Sequence, residues 1–152
     1  MNMPAVEWFL VASAAHARLL QRERGLPMVQ IAAFVHPESR LKSGELGDDR
    51  AGRERADHGL GATAYEPRTD AHRKEQQRFA HELAERLEQG ALSNAYGSLV
   101  VFAGNPFLGM LRDALGEATQ RLLKTSLPVD LSHVGEAELE RRVREELAAV
   151  QA

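Results

Sequence analysis

EWFLVASAAHARLLQRERGLPMVQIAAFV, residues Glu7 to Val35, is the stretch that decides the architecture. Glu7–Ser13 is a near-continuous apolar run, the pattern of a strand covered on both faces. Ala15–Arg24 reads as a second strand, with Ala17, Leu19 and Gln21 on one side and Arg18, Leu20 and Arg22 on the other. The join at Ser13-Ala14 is short enough for a hairpin. Gly25-Leu26-Pro27 turns the chain again, and Met28–Val35 is the third strand. Strands with such short connections are expected to be antiparallel neighbours.

Beyond Val35 the pattern changes. His36–Thr69, HPESRLKSGELGDDRAGRERADHGLGATAYEPRT, reads as a long polar loop. Connections in compact domains are usually about 4–6 residues, and structureless ones beyond about 12–15 are mostly functional or disordered. A helix follows, capped by Thr69 or Asp70, with Phe79, Leu83 and Leu87 beside Ala80 and Ala84 as its apolar stripe and Gly90 as its stop. Ser98–Ala103 is a short buried strand. Asn105-Pro106 reads as an N-cap and first helical proline, opening a helix with Phe107, Leu108, Leu111 and Leu115 inward and Gly116 at its end. Arg121–Val129 is the expected last strand, with Pro128 near its end. Gly135–Val150 is the last helix, with Leu139, Val143, Leu147 and Val150 on one side.

The expectation is α/β: one mixed five-stranded sheet, β-β-β-α-β-α-β-α, in strand order 3-2-1-4-5, with a long insert after strand 3. Right-handed crossovers then place helices on both faces, as in ribonuclease-H-like folds. The 152 residues suit a single domain spanning 1–152. With 43% apolar and 27% charged residues and a net charge of −3, the whole molecule does not attract polyanions, so nucleic-acid contact would need a local patch. The absence of cysteine excludes disulfides, thiol nucleophiles and thiolate metal sites. Val6–Ala15 is too short to span a bilayer and lacks a basic leader, so the expectation is a cytoplasmic protein with no membrane contact.

Catalytic patterns are sparse. A two-metal nuclease needs several carboxylates converging at strand ends. The first strand offers only Glu7, the fourth none, and Asp113 and Asp130 read as surface charges. Histidines 16, 36, 58, 72, 81 and 133 contain no i, i+4 zinc-protease pair and read mostly as solvated. His72 and His81, nine residues apart, fall on opposite helix faces, about 180° round. His36-Pro37 reads as the end of the third strand. No serine sits in a glycine-flanked nucleophile elbow. Gly104-Asn105-Pro106-Phe107 is a weak anion site whose plain reading is a capped helix. The expectation is no metal, no small-molecule cofactor and no catalytic set.

Basic residues are more informative. Arg40, Lys42, Arg50, Arg53, Arg55, Arg68 and Arg73, followed by Lys74 and Arg78, concentrate in the loop and the helix it feeds. Arginine forks bind phosphate bidentately, so these seven leading positions are the candidate RNA- or partner-binding set. The alternative is a mixed solvated surface, since Glu45, Asp48, Asp49, Glu54 and Asp57 are interleaved.

Ordered segments along the chain resemble a bacterial family, the "host attachment" proteins (proteins required for attachment to host cells). They run from Trp8-Phe9-Leu10-Val11-Ala12 and His16-Ala17-Arg18-Leu19-Leu20 to His36-Pro37-Glu38-Ser39-Arg40-Leu41 and Glu45-Leu46-Gly47-Asp48-Asp49-Arg50-Ala51-Gly52-Arg53. Tyr65-Glu66-Pro67, Arg78-Phe79-Ala80, Leu83-Ala84, Leu99-Val100-Val101, Pro106-Phe107-Leu108-Gly109, Leu111-Arg112 and Asp130-Leu131-Ser132 continue the series. That group is similar to bacterial relatives of the middle domain of archaeal and eukaryotic class-I peptide-release factors. The resemblance implies a release-factor-like scaffold facing ribosome or tRNA. In those factors a Gly-Gly-Gln loop helps water cleave peptidyl-tRNA. Here Gly59-Leu60-Gly61-Ala62 is the nearest glycine pair, no glutamine follows it, and Gln76 and Gln77 lie inside the helix. Three readings follow: a non-enzymatic ribosome- or tRNA-binding domain, a protein-interaction module acting indirectly in host-surface attachment, and a peptidyl-tRNA hydrolase using His58 or Glu66.

Overall fold

The computed structural model describes residues 4–36 and 61–151, as backbone alone over 61–69 and at 151. Its strands are β1 Val6–Ala12, β2 His16–Glu23, β3 Val29–Val35, β4 Ser98–Ala103 and β5 Leu123–Leu127. Its helices are α1 Gly61–Leu92, α2 Phe107–Ala114, α3 Glu117–Leu122 and α4 Glu136–Gln151. The five strands form one mixed sheet in the order β3-β2-β1-β4-β5, as expected from the sequence. β2 runs antiparallel to β1 and β3, while β1, β4 and β5 are parallel. The ladder shifts between Leu19 and Leu20, which places Ile31 opposite no residue of β2.

The apolar run of β1 is continuous because it is shared between two cores. Trp8, Leu10 and Ala12 face one side, where Phe79, Leu83 and Leu87 of α1 and Phe107, Leu108 and Leu111 of α2 cover the sheet. Phe9 and Val11 face the other, with Val100 and Phe102 of β4, against Leu139 and Val143 of α4. Adjacent side chains of a strand point to opposite faces, so a central strand between two helical layers has no solvent face to make polar. Each large side chain buried this way stabilises by about 1.5–3 kcal/mol.

Three boundaries differ from the sequence reading, each for a physical reason. First, α1 begins at Gly61, not at Thr69 or Asp70, so the polar stretch expected as a loop to Thr69 contributes a helical segment. Its first turns carry no apolar stripe from which helical periodicity could be read. The remainder of the loop, 37–60, lies outside the described residues.

Second, Gly90 does not stop α1, which continues to Leu92. The stop is Asn94 in the left-handed region at φ 61°. The Ala95 N–H donates to the Gly90 carbonyl at 2.8 Å and the Asn94 N–H to the Ala91 carbonyl at 3.2 Å, the paired bonds of a Schellman turn. Gly90 is needed for space instead: a Cβ there would lie 2.7 Å from Cη2 of Trp8. Trp8 stacks on Tyr96 with ring centroids 4.3 Å apart, filling the room that glycine leaves.

Third, the residues before β5 form an additional helix, α3, so the strand starts at Leu123 rather than Arg121. The sequence EATQRL has no local side-chain cap. Its cap comes from α1. Glu88 Oε1 accepts the Thr119 N–H at 2.9 Å and the Thr119 hydroxyl at 2.8 Å, and Oε2 accepts the Ala118 N–H at 3.2 Å. Gly116 admits this carboxylate, because a Cβ there would stand 2.5 Å from Glu88 Cδ. Chiefly through the Thr119 hydroxyl, these donors hold the Glu88 carboxyl below its ordinary value.

Candidate functional site

In open α/β sheets, ligands bind outside the carboxyl ends of parallel strands, where strand order changes direction. In this chain β1, β3, β4 and β5 all end at one edge, at Ala12, Val35, Ala103 and Leu127. That edge gathers the β1–β2 hairpin, His36, the turns of α1 around Glu75, the Gly104-Asn105-Pro106 turn and the segment from Asp130 to His133.

The hairpin is fixed locally. The Ser13 hydroxyl oxygen accepts the N–H groups of Ala15 and His16 at 3.2 Å each, and the Ser13 N–H donates to the His16 carbonyl at 2.8 Å. This places His16 Nε2 3.0 Å from the Ser132 carbonyl oxygen. Arg18, one step along the same face of β2, donates to the carbonyls of Ser132 at 3.3 Å and Val134 at 2.6 Å. Thus the start of β2 supports the connection between β5 and α4 across the sheet edge. Within that connection Asp130 Oδ1 accepts the Ser132 N–H at 2.9 Å and its hydroxyl at 2.6 Å. Burial alone would raise the Asp130 carboxyl. The hydroxyl and amide of Ser132, with His133 and His16 nearby, outweigh it and hold the carboxyl below its ordinary value.

On the other side of the edge His36 is buried, its ring stacked on Phe79 at 5.2 Å between centroids. Its N–H donates to the Ala15 carbonyl at 3.0 Å. Its Nε2 faces Glu75 Oε1 of α1 at 3.5 Å, and Glu75 Oε2 pairs with Arg78. Phe79 in turn stacks on Phe107 at 5.9 Å, at the start of α2 behind the cis Asn105-Pro106 bond. Pro106 occupies the cap position, not the first helical turn expected for it, and makes no side-chain cap bond.

Among the described residues, what this edge can do chemically is limited. The Ser132 hydroxyl is spent on Asp130 and the Ser13 hydroxyl on backbone, so neither is held by an imidazole base. Among the described residues no group of three or more His, Cys, Asp or Glu side chains could hold a metal ion. Glu7 lies at the opposite edge, bound to Arg22 at 2.8 Å, and does not approach Asp130. The edge is better furnished for contact. Arg73, Lys74 and Arg78 are exposed on α1 close above His36, and Lys74 and Arg78 share a helix face by their spacing of four.

Of the seven candidate binding residues, Arg73 is exposed on α1, and Arg68 lies in α1 with its side chain outside the described residues. Arg40, Lys42, Arg50, Arg53 and Arg55 lie outside the described residues, as does His58. Of the histidines read as mostly solvated, His72, His81 and His133 are exposed, His16 is half-buried and His36 is buried. The sequence reading gave His36 only the role of strand terminator. Its ring turns inward because Phe79 and the hairpin enclose the end of β3, contacts between residues far apart in the chain.

A family model described as "Protein required for attachment to host cells" matches residues 8–143. The chain belongs to this host attachment family. The matched region begins in β1 and ends in α4, so it takes in all five strands and the whole carboxyl edge. No curated protein matches the chain. Among the described residues of this host attachment protein, no helix is long and apolar enough to cross a membrane.

Proposed function

We propose that this host attachment protein is a non-enzymatic, release-factor-like domain that binds ribosome or tRNA through the carboxyl edge of its sheet, the polar stretch after His36 and the amino half of α1. The observation that carries the reading is the exposure of Arg73, Lys74 and Arg78 together on α1, at the edge where an α/β sheet ordinarily receives its ligand. The guanidinium and ammonium groups there can bind phosphate, while the molecule's net charge of −3 confines attraction to this patch. The further arginines at 40, 50, 53, 55 and 68, with Lys42, would extend the same contact. Without a Gly-Gly-Gln tip, binding rather than ester hydrolysis is the expected outcome.

The test is cosedimentation with ribosomes at low salt. Reversing Arg73, Lys74 and Arg78 to glutamate should weaken binding by at least about 10-fold, and raising the salt should weaken the wild type, because each lost phosphate contact also loses counterion release. A wild-type protein that stays in the supernatant at low salt sinks the reading.

A second reading has its own observation. Leu26 to Val35 is ten residues without a charge, and along it Leu26, Val29, Ile31 and Val35 are exposed at 56%, 49%, 38% and 47%. A sheet edge of that composition, unpaired among the described residues, suits a protein-interaction module. Capture of a protein partner that survives ribonuclease, and is lost on Val29→Lys with Ile31→Lys, would favour it.

A further inference from the structure

We propose that His36 and Glu75 form a proton-operated clasp between the end of β3 and α1. The ring of His36 is 5% exposed and the Glu75 side chain 19%, and Nε2 stands 3.5 Å from Oε1. Both atoms are buried and, among the described residues, neither has a hydrogen-bond partner. That is unusual, since most buried polar atoms are paired, and it needs a reason. A separation of 3.5 Å is too long for a good N–H···O bond. A neutral imidazole carries a proton on only one of its two nitrogens, so Nε2 can face the carboxylate with a lone pair, acceptor against acceptor. Only the doubly protonated ring must present an N–H at Nε2. It then donates a charge-assisted bond to Oε1, the stronger and shorter kind.

The surroundings fix where this proton acts. From α1 the ring meets Glu75, whose Oε2 is held by Arg78, and the uncharged face of Phe79. From the β1–β2 hairpin it meets the Ala15 carbonyl, which takes the His36 backbone N–H. His16, opposite Val35 in the ladder, is the titratable group of that hairpin, and its Nε2 is turned to the Ser132 carbonyl. Asp70, His72, Arg73 and Lys74 of α1 are exposed. Among the described residues Glu75 is therefore the acceptor that faces the buried nitrogen. Closing the clasp joins β3 to the helix that carries Arg73, Lys74 and Arg78. The device does not depend on what α1 binds.

The sign follows from linkage: a bond that forms on protonation in the folded state adds stability at low pH and is lost as pH rises through the imidazole range. Thermal unfolding of the full chain from pH 8 to pH 5.5 tests it, comparing wild type with Glu75→Gln. The Arg78 contact is lost equally at both ends of this range, so it adds only a constant to the gap. The melting-temperature gap should widen by about 3 °C towards pH 5.5, the size of one charge-assisted hydrogen bond in a domain of this length. In a His36→Gln background the widening should vanish. A gap constant across the range overturns the clasp, as does a widening that survives His36→Gln. Should His36→Gln fail to fold, the wild-type and Glu75→Gln comparison decides alone, since a constant gap still overturns the proposal.

Discussion

At its carboxyl end α1 is closed by the Asn94 turn, fitted around Trp8 at Gly90 and bonded to α3 through Glu88, whose carboxylate accepts from three donors of α3. In its middle turns the same helix exposes Arg73, Lys74 and Arg78 and, among the described residues, holds a buried histidine against a carboxylate without a hydrogen bond. Among the described residues the first region is complementary to its own protein and the second is not. Stability is unevenly distributed in proteins, and binding surfaces are drawn from the less stable, incompletely satisfied parts. By that criterion the carboxyl edge of the sheet is where we propose that this host attachment protein binds, and the opposite edge is the more tightly packed.

Substitutions graded along α1 can break or sharpen that contrast. The largest effect is expected from Trp8→Ala, which removes the ring stacked on Tyr96 and spanned by Arg86 at 5.3 Å. Loss of a buried aromatic should cost about 3–5 kcal/mol, read from the denaturant midpoint. Gly90→Ala comes next. Its Cβ would meet Trp8 at 2.7 and 2.8 Å and Tyr96 at 3.1 Å, so overpacking should outweigh the better helix propensity and destabilise by about 1–2 kcal/mol. If the variant is more stable than wild type, the Trp8–Tyr96 stack is looser than described and the contrast between the two regions weakens.

Glu88→Gln should cost about 1 kcal/mol at neutral pH, as for loss of a helix cap. Its pH dependence has a definite sign. The carboxyl is held below its ordinary 4.5, so its contribution is present above that value and lost as pH falls through the lower folded one. Wild type and variant should converge in acid. A gap that persists unchanged to strongly acidic pH would remove the charged cap from the account. The smallest stability effect belongs to the middle turns: Arg73→Glu with Lys74→Glu and Arg78→Glu should change unfolding free energy by less than about 0.5 kcal/mol each while binding falls. A large loss of stability there would mean that the exposed cations are structural.

The sheet was legible because its signal is local. EWFLVAS announces a doubly covered strand, and the short turns at Ser13 and Gly25 leave little choice but antiparallel neighbours. The apolar stripes of Phe79, Leu83 and Leu87 and of Leu139 and Val143 likewise mark helices by their spacing alone. By contrast, α3 was hidden because Glu88 caps it from another helix, and Gly90 was misread because its partner, Trp8, lies across the fold. Of the binding set, Arg73 was legible as an exposed helical cation. The inward turn of His36 was not.

The sequence by itself determined the five strands, the antiparallel pairing of the first three and the lack of any cysteine chemistry, because hydrophobic periodicity and turn length act between neighbours. Tertiary structure alone decided that His36 is buried against Glu75, that Arg18 and His16 support the loop at Ser132, and that Gly116 must admit a carboxylate. Those facts depend on side chains brought together from distant parts of the chain, and packing at that range leaves no periodic mark in the order of residues.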